Sequence, residues 1–262
     1  LDGGTTDAYF TNPGNVGIGV AIPASKLDVL GRITLNDGQD NVLVGTSAGE
    51  SVTTGIRNTM IGGGAGDALT TGEQNVAIGY EAFSTAATSN KSIAIGAFAL
   101  RLQSYDGDAY NVAIGHDAGK SVSTGIENTL IGGFAGDALT TGAENLAIGY
   151  NSLSKETSGG KNVALGAYTL QDQNKTTDAF NVAVGYRAGL LVNTGTQNTL
   201  IGGLAGDALT TGSFNVALGY SSLSTTNIGA KNVAIGNFAL NENVRTNSNV
   251  AVGQQALQSL VG

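Results

Sequence analysis

Asn75-Val76-Ala77-Ile78-Gly79 is the phrase that decides the fold. It recurs as Asn-apolar-small-apolar-Gly with first positions at 15, 41, 58, 75, 92, 111, 128, 145, 162, 181, 198, 215, 232 and 249, all Asn except Ser92. From 41 onward the steps are 17, 17, 17 and 19, the same again, then four of 17. Four-unit blocks of 70, 70 and 68 residues therefore start at Asn41, Asn111 and Asn181, and an extra unit follows at Asn249. The octapeptide Ala-Gly-Asp-Ala-Leu-Thr-Thr-Gly at 65–72 returns unchanged at 135–142 and 205–212. Such identity marks duplication of a whole block, and a fixed period marks a repeat architecture.

Within the phrase, Val76 and Ile78 are two apart and point one way, with Asn75, Ala77 and Gly79 opposite. A weaker apolar stretch follows, such as Glu81-Ala82-Phe83 or Asp67-Ala68-Leu69. Then comes a turn such as Thr70-Thr71-Gly72, suited to positive φ. Each unit reads as two short strands and two turns. A helix is excluded because each Gly costs about 1 kcal/mol relative to Ala. Units this short cannot bury a core alone and must stack. The expectation is an all-β, repetitive parallel β-roll or β-solenoid. At about 4.8 Å per stacked strand, the units from Asn41 give a rod roughly 60 Å long. The expected core of each unit is one Val and one Ile or Leu plus alanines, which puts Ile148 inside. So small a core, and an opposite face of Ala and Gly that another backbone can approach closely, favour several chains packed side by side.

Composition narrows the function classes. The chain has 262 residues with 41 Gly, 2 Pro, no Cys, no Trp and one His, and 12% of residues are charged. Without cysteine there is no disulfide framework, thiolate metal site or thiol nucleophile. A net charge of −8 argues against a nucleic-acid partner, which needs clustered Lys and Arg. No apolar run approaches the ~20 residues that span a bilayer as a helix, so no membrane insertion is expected. The start at Leu1, with no basic or apolar leader, reads as a processed product or a fragment.

The Asn-Val-Ala-Ile-Gly repeats with Ala-Gly and Thr-Gly turns over about 37–262 resemble the head of YadA-type trimeric autotransporter adhesins, a trimeric left-handed parallel β-roll. The unit here, 17 or 19 residues, is longer than in those heads. Asn15-Val16-Gly17-Ile18-Gly19, with Pro23-Ala24-Ser25-Lys26-Leu27-Asp28-Val29-Leu30-Gly31-Arg32-Ile33, is similar to a segment of bacteriophage tail-fibre proteins. Similar segments occur in bacterial surface proteins that end in an intramolecular, endosialidase-type chaperone. The resemblances imply a homotrimeric fibre, with residues 1–36 as a tail-fibre-like linking segment and 37–262 as the roll.

Candidate chemistry is sparse. His116 takes the place of Thr46 and Tyr186 in sister copies, so no fixed partners accompany it, and it reads as a surface residue. Asp67, Asp137 and Asp207 are one position copied three times; a threefold axis could gather them around a cation, but a turn carboxylate bonding nearby N–H groups is the simpler reading. The motif asparagines read as a stacked, mutually bonded column. Tyr80, Tyr150 and Tyr220 could stack on sugars, and Lys91, Lys161 and Lys231 recur with the same period; packing and solubility explain both. Gly-Gly pairs such as Gly132-Gly133 lack the strand and helix context of a phosphate loop. The copies disagree most at 101–110, 171–180 and 241–248, one corner of the fourth unit of each block. Insertions in solenoids map to loops on one face, often the binding face. The candidate surface-contact residues there are Arg101, Tyr105, Asp106, Asp108, Asn174, Lys175, Asn243 and Arg245.

The sequence thus points to a phage tail-fibre segment, a rigid trimeric rod for host attachment in the virion, with no enzymatic activity, cofactor or metal. The alternative is a bacterial surface adhesin or extracellular filament that binds host glycan or matrix, and a cell-surface glycan or protein receptor is the partner either would take. A polysaccharide-cleaving tailspike needs a carboxylate pair about 5–9.5 Å apart in a groove, and no unique pair stands out. Ice binding by a flat Thr array fails because the pair Thr70-Thr71 recurs only every 70 residues, too sparse for a regular lattice.

Overall fold

The computed structural model describes residues 16–18, 27–29, 38–225, 227–242 and 247–259. The chain divides into two compact units, 1–36 and 37–262. In the first, Val16–Ile18 pairs in parallel with Leu27–Val29. The second is a parallel β-solenoid of about twelve turns, with no helix among the described residues. Its main sheet has 13 strands of three residues, running in chain order from Val42–Val44 to Val250–Val252. Partners are 17 residues apart, as in Thr59↔Val76, or 19 apart, as in Ile93↔Val112 and Val163↔Val182. The two extra residues are therefore taken up away from the strand. In the first widened coil they lie at a corner where Ser89–Asn90 pairs with Gly107–Asp108.

Each strand ends at its motif glycine for a steric reason. Gly79 has φ 134°, and a Cβ there would meet the carbonyl oxygen of Gly96 in the next coil at 2.6 Å. The same holds up the column from Gly45 to Gly236, whose φ values lie between 128 and 140°. Only glycine lets the stacked backbones approach this closely.

Beyond the glycine the structure departs from the two-strand expectation: each coil has one strand in this sheet, and the second apolar stretch is a chain of tight turns. Glu81 (φ 48°) and Phe83 (φ 57°) both adopt the left-handed conformation, as do Phe98 and Leu100 one coil on. The amide of Glu81 donates to Gly63 in the coil before (2.9 Å), and that of Phe83 to Ala99 in the coil after (3.0 Å). Stacking hydrogen bonds thus continue around the corner where no pleated strand could follow the curvature. They offset the left-handed backbone, which costs a non-glycine residue roughly 1–2 kcal/mol.

The sidedness of the strand also corrects the sequence reading. Ala77, Ala94, Ala113, Ala147, Ala164 and Ala183 are fully buried, whereas Val76, Ile78 and Ile148 are partly exposed. The coil interior is too narrow for a β-branched pair, because Leu and Phe side chains such as Phe83, Leu100, Leu153 and Leu170 fill it from the turn side. The alanine becomes larger at Leu43, Met60, Leu130 and Leu200. A glycine makes room each time, and a Cβ on Gly66, Gly136 or Gly206 would overlap that side chain at 2.5–2.8 Å. The Val and Ile side chains form instead a flat apolar strip, two per coil along all thirteen strands, interrupted only by Thr59, Thr129 and Thr199.

The asparagine column forms as the spacing implies. Asn58 Oδ1 accepts from both the amide (2.9 Å) and Nδ2 (3.1 Å) of Asn75, whose Nδ2 also donates to Ser89 O (2.8 Å). Ser92 breaks the column, and Gln103 repairs it: its Oε1 accepts from Asn111 Nδ2 at 2.8 Å. Gln173 does the same for Asn181 at 2.9 Å.

Candidate functional site

The residues after each motif glycine project from the corner beside the apolar strip. They build a continuous ladder of rings: Tyr80, Phe98, His116, Phe134, Tyr150, Tyr168 and Tyr186, with centroids 5.5–6.1 Å apart and most contacts edge-to-face. Leu204 follows in the left-handed position that Phe98, Phe134 and Tyr168 hold, and the ladder resumes at Tyr220–Phe238. Edge-to-face pairs are worth about 0.5–1.5 kcal/mol beyond their burial, so the ridge is itself part of the stacking energy. His116 is one rung of it, exposed, with Nδ1 3.4 Å from Asp117. Tyr80, Tyr150 and Tyr220 are rungs too, each about half exposed.

The ridge meets the variable corners at the two widened coils. At the first, Arg101 pairs with Glu81 (3.0 Å), Lys120 pairs with Asp117 (3.2 Å), and both cations lie 5.4 Å from the centre of the Phe98 ring. At the second, the positions that match Phe98, Arg101, His116, Asp117 and Lys120 are Tyr168, Gln171, Tyr186, Arg187 and Leu190, and they line an open cavity of about 290 Å³. None of their side-chain polar atoms has a hydrogen bond or ion pair with another described residue.

Behind that cavity the second corner is organised by a wholly buried carboxylate, Glu156. Its Oε1 accepts from the amides of Thr157 (2.9 Å), Ser158 (3.1 Å) and Gly159 (2.7 Å), and its oxygens also take Lys175 N and Gln173 Nε2 at 3.2 Å. The first corner has Ala86 at this position, and there the buried Gln103 Nε2 has no partner.

The other sequence-nominated residues are not gathered into one site. Asp108 is bound by Lys91, Asn90 and Tyr110; the Lys91 ammonium holds its carboxyl below the usual range, and the lysine is raised in return. Tyr105 supplies its carbonyl to Ser89 Oγ, and Asp106 is exposed. Asn174 accepts from Thr157 Oγ1 (3.1 Å), and Lys175 contributes its amide to Glu156. Asn243 and Arg245 lie outside the described residues. Lys161 repeats the Lys91 pattern on Asp178 at 2.7 Å. Asp67, Asp137 and Asp207 stand four coils apart, so one chain does not bring them together; burial pushes the carboxyls of Asp137 and Asp207 up. No group of three or more His, Asp or Glu able to hold a metal occurs among the described residues. No described helix is long and apolar enough to cross a membrane.

Sequence reasoning missed Glu156, Arg187 and the cavity. The signal was present as disagreement between copies: Glu156 stands where the first block has Ala86, and Arg187 where it has Asp117. No family model, curated protein or solved structure matches this chain.

Proposed function

We propose that this chain is a structural fibre segment, a stiff rod that assembles as a homotrimer and carries a host-attachment tip, as in a phage tail fibre, with no enzymatic activity of its own. The observation that carries the reading is the partly exposed strip of Val, Ile and Leu along the main sheet. A contiguous apolar strip of this extent on a soluble chain marks an interaction surface. Its regular spacing of one row per coil suits a partner with the same repeat, which is a second copy of the chain in register. Three copies with their strips inward would bury all three and leave the ridge and corners facing outward along the rod. A bacterial surface adhesin or extracellular filament uses the same rod; the exposed tyrosines and variable corners would then contact host glycan or matrix.

Light scattering on the purified chain tests this reading. The expected mass is three times 26.2 kDa, and a monomer would overturn it. Ile148→Asp should shift the mass toward that of one chain while the β-sheet circular dichroism persists, because the charge then sits on the strip and not in the coil interior. Ala147→Asp buries an unpaired charge inside the coil and should abolish the fold itself.

A further inference from the structure

We infer that the cavity at the second widened corner binds a carboxylate-bearing sugar residue, such as a uronic or sialic acid unit of a glycan. The inference goes beyond the fibre reading and stands whether or not the chain trimerises.

Three features of the corner converge on it. The cavity of about 290 Å³ is near the lower end for small-molecule sites, the scale of a single sugar ring. Tyr168 and Tyr186 meet at 87° with centroids 6.1 Å apart, so one ring stands on edge against the face of the other and the two make an apolar corner with polar tips. That shape suits the C–H face of a pyranose, with phenol hydroxyls left for ring hydroxyls. Gln171 adds an amide that both donates and accepts, which hydroxyls and acetamido groups require.

Arg187 sets the charge of the ligand. Its guanidinium has no ion pair or hydrogen bond with another described residue, whereas at the first corner Arg101 and Lys120 are both paired. Asp207 lies within its field, which partly counters the upward push of burial on that carboxyl, but the two do not form an ion pair. A forked, unpaired guanidinium beside two aromatic rings is matched to a planar carboxylate, which it binds bidentately.

The sister corners show what the chain does without such a ligand. In the first, Asp117 replaces Arg187, and Arg101 and Lys120 close the space over Phe98. In the third, the positions hold Phe238, Asn241, Gln254, Gln255 and Gln258, with no cation. Of three copies of one corner, only the second joins two tyrosines to a free arginine.

The test is titration of the full chain, in its native assembly state, with glucuronate and N-acetylneuraminate, against glucose and acetate as controls, followed by calorimetry or ligand-observed NMR. Saturable binding of at least one acidic sugar is expected, about tenfold or more weaker for glucose and for acetate. Arg187→Gln should weaken acidic-sugar binding by about the same factor, and Tyr186→Ala should weaken it without restoring preference for glucose. Arg101→Gln, in the closed corner, should leave it unchanged. Equal binding of glucose and glucuronate, equal binding of acetate, or no saturable binding would each overturn the inference. Melting curves of Arg187→Gln and Tyr186→Ala check that the corner still folds; if one variant unfolds, the other decides. None of these outcomes alters the mass measurement that tests the fibre reading.

Discussion

The two 19-residue coils, 92–110 and 162–180, keep the same strand register and yet resolve their corners in opposite ways. In the first, the space is filled from outside by ion pairs over Phe98, and the buried Gln103 amide nitrogen is left without an acceptor. In the second, the corner is anchored from inside by Glu156, which gives Gln173 the acceptor that Gln103 lacks. The outer space there stays open. The strand, the glycine, the asparagine and the turn hydrogen bonds already hold each coil on its neighbours, so a corner can diverge without disturbing the stack. One backbone frame therefore carries both a closed corner and an open one.

Breaking the inner anchor should have the largest effect. Glu156→Ala leaves the buried Gly159 amide and Gln173 side chain, and the partly buried amides of Thr157, Ser158 and Lys175, without their acceptor, a loss of about 3 kcal/mol. The melting temperature should fall, and hydrogen exchange should accelerate at 157–159 and 175 while the amides at 87–89 and 105 keep their rates. Unchanged exchange at 157–159 would mean that the carboxylate is not the anchor.

A smaller effect is expected from the outer filling of the first corner. Arg101→Ala removes the pair with Glu81 and the contact with Phe98, both partly exposed, so a cost of about 0.5–1 kcal/mol is expected. Gln171→Ala, at the matching place in the open corner, should cost less than Arg101→Ala. If the two cost the same in chemical denaturation, the ion pairs do not close the first corner.

The smallest effect concerns the aspartates behind the corners. Burial raises the carboxyls of both Asp137 and Asp207, but Asp117 adds to the rise at Asp137 whereas Arg187 opposes it at Asp207. A carboxyl raised in the folded state binds its proton more readily there than in the unfolded chain. It therefore costs stability above its folded pKa, and that cost fades as pH falls through the folded value towards the unfolded one of about 3.9. Asp137→Asn should raise the melting temperature at pH 7 more than Asp207→Asn, and both gains should shrink toward pH 4. Equal gains would show that Asp117 and Arg187 do not reach these carboxyls.

Much of the fold was legible because it is periodic. The recurrence of Asn-Val-Ala-Ile-Gly specified parallel stacking, the coil length and the asparagine column, since a residue repeated at the coil period must stand above its own copy. Which face of the strand turns inward was not legible. Alternation shows that Val76 and Ile78 share a side, but both sides carry apolar residues, and Ala77 with Val76 and Ile78 reads equally well either way. The second apolar stretch misled for a related reason: Ala82 and Phe83 are buried as strand residues would be, but left-handed backbone at Glu81 and Phe83 places them there.

The sequence by itself determined that the chain is a stack of duplicated coils and where its copies diverge, because duplication and period are properties of order along the chain. Only the tertiary structure decided the direction of each face and the chemistry of each corner. Those depend on how much room a narrow coil leaves beside its Leu and Phe side chains. They also depend on which residues one coil apart come within reach, as Gln173 does of Glu156 and Tyr186 of Tyr168.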